Sequence, residues 1–199
     1  MSDLLDLDDP TATILAVVRS LREAGIESAV YGGLALAAYG EPRETKDADV
    51  AVCGTGAPAA VDALRRGGLD CTVAFDRVRF GGHTVTRVTL LGGSTATGLN
   101  VAGLVEPRSA RYARASLERA VPVSLRGQMV RVLSPEDFVV FKVLSTRERD
   151  LEDAATVLRV LAGRLDLGAI GAEAACLGAE IPDHDVAGRL ARATAQAAE

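Results

Sequence analysis

The stretch "VYGGLALAAYGEPRETKDADVAV", residues 30–52, decides how the chain is read. A short apolar run ends in Gly32-Gly33, a helix-like segment follows, and Lys46-Asp47-Ala48-Asp49 stands on the lip of a second apolar run. In a strand, residues two apart project to the same side, so Asp47 and Asp49 point together while Lys46 and Ala48 face away. Like charges at that spacing repel unless a cation neutralises them. Two hard oxygen donors suit Mg²⁺ (or Mn²⁺), an ion that takes one or two carboxylates and completes its shell with substrate phosphates. Gly32 and Gly33 supply the other half: backbone that can approach a ligand closely, with free N–H groups of a helix start turned to an anion. Either element alone reads as a tight turn or a solvated strand end. Together they would hold a nucleoside triphosphate and its metal against each other.

On the N-terminal side, Asp9-Pro10 before "TATILAVVRSLREAG" predicts a capped helix stopped at Gly25. "SAVYGG" and "DADVAVCG" read as short buried strands, "LALAAYG" as a two-turn helix ending at Gly40, and "APAAVDALRRGG" as a helix with a glycine stop. Three strand-like segments follow, "CTVAFDRV", "TVTRVTLLG" and "TGLNVAGLV", and the glycine pairs at 81–82 and 92–93 between them predict antiparallel hairpins. "EPRSARYARASLERA" is helical, and "VPVSLRGQMVRVL" turns back at Arg126-Gly127. Ser134-Pro135-Glu136-Asp137 is a capped helix start, and everything after it is helical. The expected fold class is α+β: a mixed sheet with flanking helices over residues 1–133, then a helical bundle over 134–199.

With 199 residues and 48% hydrophobic content the chain can bury its own core. No apolar run reaches the roughly 20 residues of a membrane span, and the acidic "MSDLLDLDDP" is not a signal peptide, so a cytoplasmic protein without membrane contact is expected. A net charge of −5 excludes coating nucleic acid by bulk electrostatics. A local exception runs from Pro107 to Arg131, where Arg108, Arg111, Arg114, Arg119, Arg126 and Arg131 face the single acid Glu118; it is a basic patch or a solvated helix-and-hairpin surface. Cys53, Cys71 and Cys176 have no disulfide or zinc spacing and read as small core residues. His83 and His184 sit in turn-rich segments and read as surface residues. Only Lys46 and Lys142 are lysines among 22 basic residues, which reflects either codon drift or places where a compact charge is wanted.

An apolar strand, Gly-Gly, a spacer of thirteen residues and Asp47-Ala48-Asp49 resembles the signature of the nucleotidyltransferase superfamily that includes DNA polymerase β. The wording is most similar to the bacterial AbiEii-type branch, with Arg43 and Thr45 as its R-x-T pair. A second stretch, "SPEDFVVFKVLSTRERDLEDAATVL", is similar to that branch's later motif, and Lys142, Arg149, Asp150 and Asp153 fall on it. The resemblance covers roughly residues 28–160 and implies the nucleotidyltransferase fold. It implies that Asp47 and Asp49 bind Mg²⁺ on the triphosphate, that Gly32 and Gly33 cradle phosphates with Arg43, Thr45 and Lys46 beside them, and that an acceptor hydroxyl attacks the α-phosphate. Lys142 would be the cation over the phosphates, or a surface lysine on an amphipathic helix; Asp150 and Asp153 would position it, or sit in a helix's first turn.

The superfamily places a third carboxylate on a later strand, and the residue aligned to it here is Asn100. An amide can coordinate a cation but cannot take a proton, so Asp76 or Glu106 substitutes, or two carboxylates suffice, or the chain only binds nucleotide. As to the acceptor, the AbiEii-type resemblance implies a tRNA 3′ end reached through Arg108, Arg111 and Arg114, and a toxin with a cognate antitoxin partner. The alternative is a small-molecule acceptor, as in antibiotic nucleotidyltransferases.

Overall fold

The computed structural model describes residues 6–39, 42, 44–92 and 100–199. Asp9 caps helix α1 (Pro10–Glu23) by accepting from the amides of Thr11 and Ala12, while Pro10 occupies the first turn, where no amide is needed. Strand β1 (Ser28–Val30), helix α2 (Gly32–Ala38), strand β2 (Ala48–Val52) and helix α3 (Ala57–Arg66) follow in the predicted order. Next come β3 (Cys71–Phe80), β4 (His83–Leu90) and β5 (Asn100–Pro107), then α4 (Ala110–Glu118) and the hairpin of β6 (Val121–Leu125) and β7 (Gln128–Val132). That hairpin turns where expected, with Arg126 and Gly127 both at positive φ, the primed turn whose twist matches its strands. Helices α5 (Pro135–Leu144), α6 (Glu148–Val160), α7 (Leu167–Glu180) and α8 (Val186–Ala197) complete the chain. Among the described residues no helix is long and apolar enough to cross a membrane.

The strands form one mixed sheet in the order β3-β4-β5-β2-β1-β7-β6, with β1 parallel to β7 and β2 parallel to β5. Register places Asp49 beside Gly103, Gly103 opposite Arg87, and Arg87 opposite Phe75, so one row runs across four strands on one face. Two residues further along, Ala51, Val105, Val85 and Val78 form the next row of that face.

Helix α5 covers this face. Phe141 packs on His83 at 5.5 Å and on Tyr31 at 5.2 Å, and every residue from Asp137 to Leu144 is buried. A helix apolar all round belongs to a core rather than a surface, and one cluster of buried side chains runs through the sheet and the C-terminal helices alike.

Two expectations fail here. His83 is 3% exposed because its turn docks under α5, the Gly82 amide donating to the Leu144 carbonyl at 2.8 Å, and His184 is half-buried against the Val143 carbonyl at 3.0 Å. Cys71 is buried and Cys53 partly so, but Cys176 is exposed: α7 buries Ile170, Ala174 and Leu177, and position 176 falls between those on the outer side.

Candidate active site

The diglycine and the paired carboxylates meet. The Tyr31 amide donates to the Asp49 carbonyl at 2.9 Å, fixing the end of β1 against the start of β2. Gly32 has a φ of 72°, and a Cβ there would stand 2.7 Å from Asp49 Oδ2. A Cβ on Gly33 would stand 2.8 Å from the Thr45 Cβ. Glycine is therefore required at both positions by the close approach of two site residues. On the other side of Asp49 a Cβ on Gly103 would overlap its Oδ1. The carboxylate of Asp49 thus lies in a slot between two side-chain-free backbones.

That slot sets its chemistry. Burial first, and then the Asp47 carboxylate, raise the Asp49 pKa from 3.8 to about 6, with Lys142, Arg87 and Arg147 pulling the other way. Asp47 faces Arg87 Nη2 at 3.5 Å. Among the described residues there is no group of three or more His, Cys, Asp or Glu that could hold a metal. The donor set is two carboxylates whose repulsion is felt in the pKa of one of them. It fits a divalent ion shared with substrate phosphates, not one caged by protein alone.

Two cavities meet at Asp49 and share Asp49, Arg147 and Asp150 as walls. The larger, about 530 Å³, is polar and is bounded by Thr45, Lys46, Asp47 and Arg149. The smaller, about 200 Å³, lies between the sheet face and the α5–α6 connection; Tyr31, Phe75, Phe80 and Val85 line it, with His83 and Arg87.

Lys142 borders the polar cavity but is 1% exposed. Its Nζ donates to Asp150 Oδ1 at 2.6 Å and pairs with Asp153 Oδ2 at 2.7 Å, over the rings of Tyr31 and Phe138 at 5.0 and 5.3 Å. Burial opposes ionisation of Asp150, but Lys142, the Ser145 hydroxyl and Arg147 outweigh it and hold its carboxyl well below the usual range. Lys142 is thus neither a surface lysine nor an open cation: it is the centre of a buried ion network that fixes the start of α6. Asp153 stands behind it. The open cation at the junction of the two cavities is Arg147, bonded to Asp150 Oδ2 at 2.7 Å with its side chain 66% exposed.

The structure does not bring Asn100 to the site. It pairs with Leu90, three residues before Gly103 and so on the opposite face of β5, with its amide 3.5 Å from Asp8. Asp76 and Glu106 do not substitute. Asp76 accepts from the Ala57 amide and the Thr86 hydroxyl, and Glu106 accepts from the Gly54 amide and Arg77, both at the far end of β2. Arg43 lies outside the described residues.

The arginine-rich segment is engaged within the chain. Arg108 pairs with Asp183 at 2.8 Å, Arg111 with Glu173 and Glu180 at 2.6 and 2.8 Å, and Arg119 with Asp137 at 2.7 Å; Arg126 pairs with Asp9, and Arg131 donates to the Leu117 carbonyl. Arg114 is exposed on α4. The sequence reading missed Arg147, Arg87, Tyr31 and Gly103. Arg147 carries a signal, standing three residues before Asp150 in the same run as Arg149; the other three need the register.

A family model described as Aminoglycoside-2''-adenylyltransferase matches residues 13–157. No curated protein matches the chain in sequence. Among solved structures, antibiotic-resistance factor ANT(2'')-Ia is 13% identical, with 88% of this chain and 97% of that chain covered and a TM-score of 0.56. An antigenic nucleotidyltransferase-like protein from Paracoccidioides brasiliensis is 20% identical over 94% of each chain, with a TM-score of 0.49. At these identities the likeness to ANT(2'')-Ia is one of fold.

Proposed function

The chain belongs to the aminoglycoside-2''-adenylyltransferase family, and from that premise we propose that it transfers a nucleoside monophosphate from a nucleoside triphosphate to a hydroxyl group of a small-molecule acceptor. The observation that carries the reading is the position of Asp49: beside Asp47, in a slot made by Gly32 and Gly103, and on the shared wall of two cavities. An in-line transfer needs the entering oxygen and the leaving pyrophosphate on opposite sides of the α-phosphate, and two cavities that share Asp49 as a wall are what supports reading one as the place of the tail and the other as the place of the acceptor.

Asp47 and Asp49 would hold Mg²⁺ together with the triphosphate, where the ion would neutralise phosphate charge. Thr45, Lys46 and Arg149 line the cavity for the triphosphate tail, Gly32 and Gly33 let the backbone close on it, and Arg147 stands between tail and acceptor. Lys142, Asp150 and Asp153 act at one remove by fixing the wall that carries Arg147. Transfer to a tRNA 3′ end, which the AbiEii-type resemblance implies, has less support, because Arg108 and Arg111 are paired with carboxylates of the chain itself.

The test is incubation with each labelled nucleoside triphosphate and Mg²⁺, with total tRNA in one arm and a panel of small hydroxyl compounds in the other, beside Asp49→Asn. Label in small-molecule product with wild type only supports the proposal. Label in tRNA, with activity collapsing between 50 and 200 mM salt as phosphate contacts demand, would overturn it.

A further inference from the structure

The smaller cavity is built for a different ligand from the larger one. Its floor is the sheet face itself: Phe75, Arg87, Val85, Val105 and His83 occupy neighbouring positions on β3, β4 and β5, and Phe80 closes its outer end. Its roof is Tyr31 and the 145–147 connection. Both walls are fixed. The Gly82 amide donates to the Leu144 carbonyl at 2.8 Å, and Arg189 of α8 reaches the carbonyls of Val143 and Arg147 at 3.2 and 3.0 Å. A cavity of about 200 Å³ holds a group of one or two rings, since ~150 Å³ accommodates benzene.

Charge on these walls argues against a polyamine. The carboxylates lining the cavity are Asp49 and Asp150, offset by Arg87 and Arg147. Asp150 is held by Lys142, Ser145 and Arg147, and Asp49 shares its charge with Asp47 at the proposed metal position. Among the described residues no further carboxylate lines the cavity to meet an ammonium group, and a cation would enter beside two guanidinium groups. The charged groups on its walls that are not carboxylates are the guanidiniums of Arg87 and Arg147, which suit an oxygen-bearing ligand better than an ammonium. Finally, the β5 residue beside Asp49 is Gly103, which has no side chain to take the acceptor's proton, and this favours a hydroxyl that ionises without help.

We propose that this cavity is the acceptor subsite and that it takes a phenolic ring, neutral or bearing a carbonyl or carboxylate oxygen, rather than a polycationic aminoglycoside. In the step, the phenolic O–H releases its proton to solvent, its oxygen forms a bond to the α-phosphorus, and the bond to the bridging oxygen of the β-phosphate breaks with pyrophosphate leaving. The inference rests on the nucleotidyl-transfer reading above.

The experiment uses 2-naphthol and 6-hydroxy-2-naphthoate, whose own fluorescence reports binding, on the full chain with Mg·ATP binding followed separately by thermal shift. Both probes should bind, and Phe80→Ala, at a residue 45% exposed, should weaken them about tenfold, as loss of an aromatic contact does, while Mg·ATP binding is unchanged. Phe75→Leu, which keeps the apolar volume, should weaken them less. Pyrophosphate release should follow addition of either probe and not of a polyamine aminoglycoside. If Phe80→Ala weakens Mg·ATP instead, the cavity holds the nucleobase and the inference fails. If the aminoglycoside is the better acceptor, the inference fails while the transfer reading stands. Loss of Mg·ATP binding to the wild type would remove the transfer reading itself.

Discussion

Asp49→Asn should make the metal-free protein more stable and blind to Mg·ATP. The Asp49 carboxyl is raised on folding from 3.8 to about 6 by burial and by Asp47. An acid with a raised pKa holds its proton more tightly in the folded state, so it favours folding while the proton is on. The penalty is absent below pH 3.8, grows as the pH rises, and is complete above about pH 6. A tenfold change in proton affinity is worth ~1.4 kcal/mol, so this carboxylate costs at most ~3 kcal/mol at pH 8. Asparagine keeps the shape and removes the charge. In EDTA at pH 8 its melting temperature should therefore exceed that of wild type, by about 5–10 °C for a chain of this size, and the gap should close as the pH approaches 4. Adding Mg·ATP should raise the wild-type melting temperature and leave the variant where it was. The assay is differential scanning calorimetry across pH 4–8. An equal or lower melting temperature for Asp49→Asn at pH 8 in EDTA, or the same upward shift with Mg·ATP, would refute the assignment of Asp49 as the strained half of a metal-binding pair.

Two substitutions separate structural from ligand-binding cations. Lys142→Met removes the cation that Asp150 and Asp153 share, leaving Arg147 alone to balance Asp150, and should cost ~3–5 kcal/mol in urea unfolding, whereas an open phosphate-binding lysine would lose activity with stability intact. Arg111→Ala removes two ion pairs to α7 and should lower stability by ~1 kcal/mol; gel-shift titration with tRNA should give the same weak, salt-sensitive binding as wild type.

The parts of this molecule legible in its sequence are those determined locally. Caps at Asp9 and Ser134, the primed turn at Arg126-Gly127 and the diglycine beside Asp47-Ala48-Asp49 each depend on a few neighbouring residues, and all stand where the sequence places them. What was misread depends on pairing at a distance. Arginines counted as a basic patch meet acids of α7 and the α7–α8 turn, some sixty to seventy-five positions later. Lys142 can be an open cation over the phosphates, or a surface lysine, only if α5 has a wet face there, and every residue from Asp137 to Leu144 is buried. Asn100 and Gly103 differ by an odd number of positions, so an alignment error of three residues moves a side chain through the sheet to its other face.

On the proposed transfer reading, Gly103 is the residue on which the chemistry turns. A carboxylate there would face Asp49 on the neighbouring strand, and its Cβ alone would displace Asp49 from its slot. Glycine leaves the row Asp49–Gly103–Arg87–Phe75 with an open second position, and Arg87 uses the space: its guanidinium reaches to 3.5 Å from Asp47 and lies 6.0 Å from the Phe75 ring centre. With glycine at 103 no β5 side chain stands beside Asp49, and the Arg87 guanidinium and Phe75 ring of the same row lie next to the carboxylate pair and the aromatic-walled cavity. Those three features agree in sign. They disfavour a cationic acceptor whose alkyl hydroxyl needs deprotonating, and they favour a flat acceptor whose hydroxyl brings its own acidity.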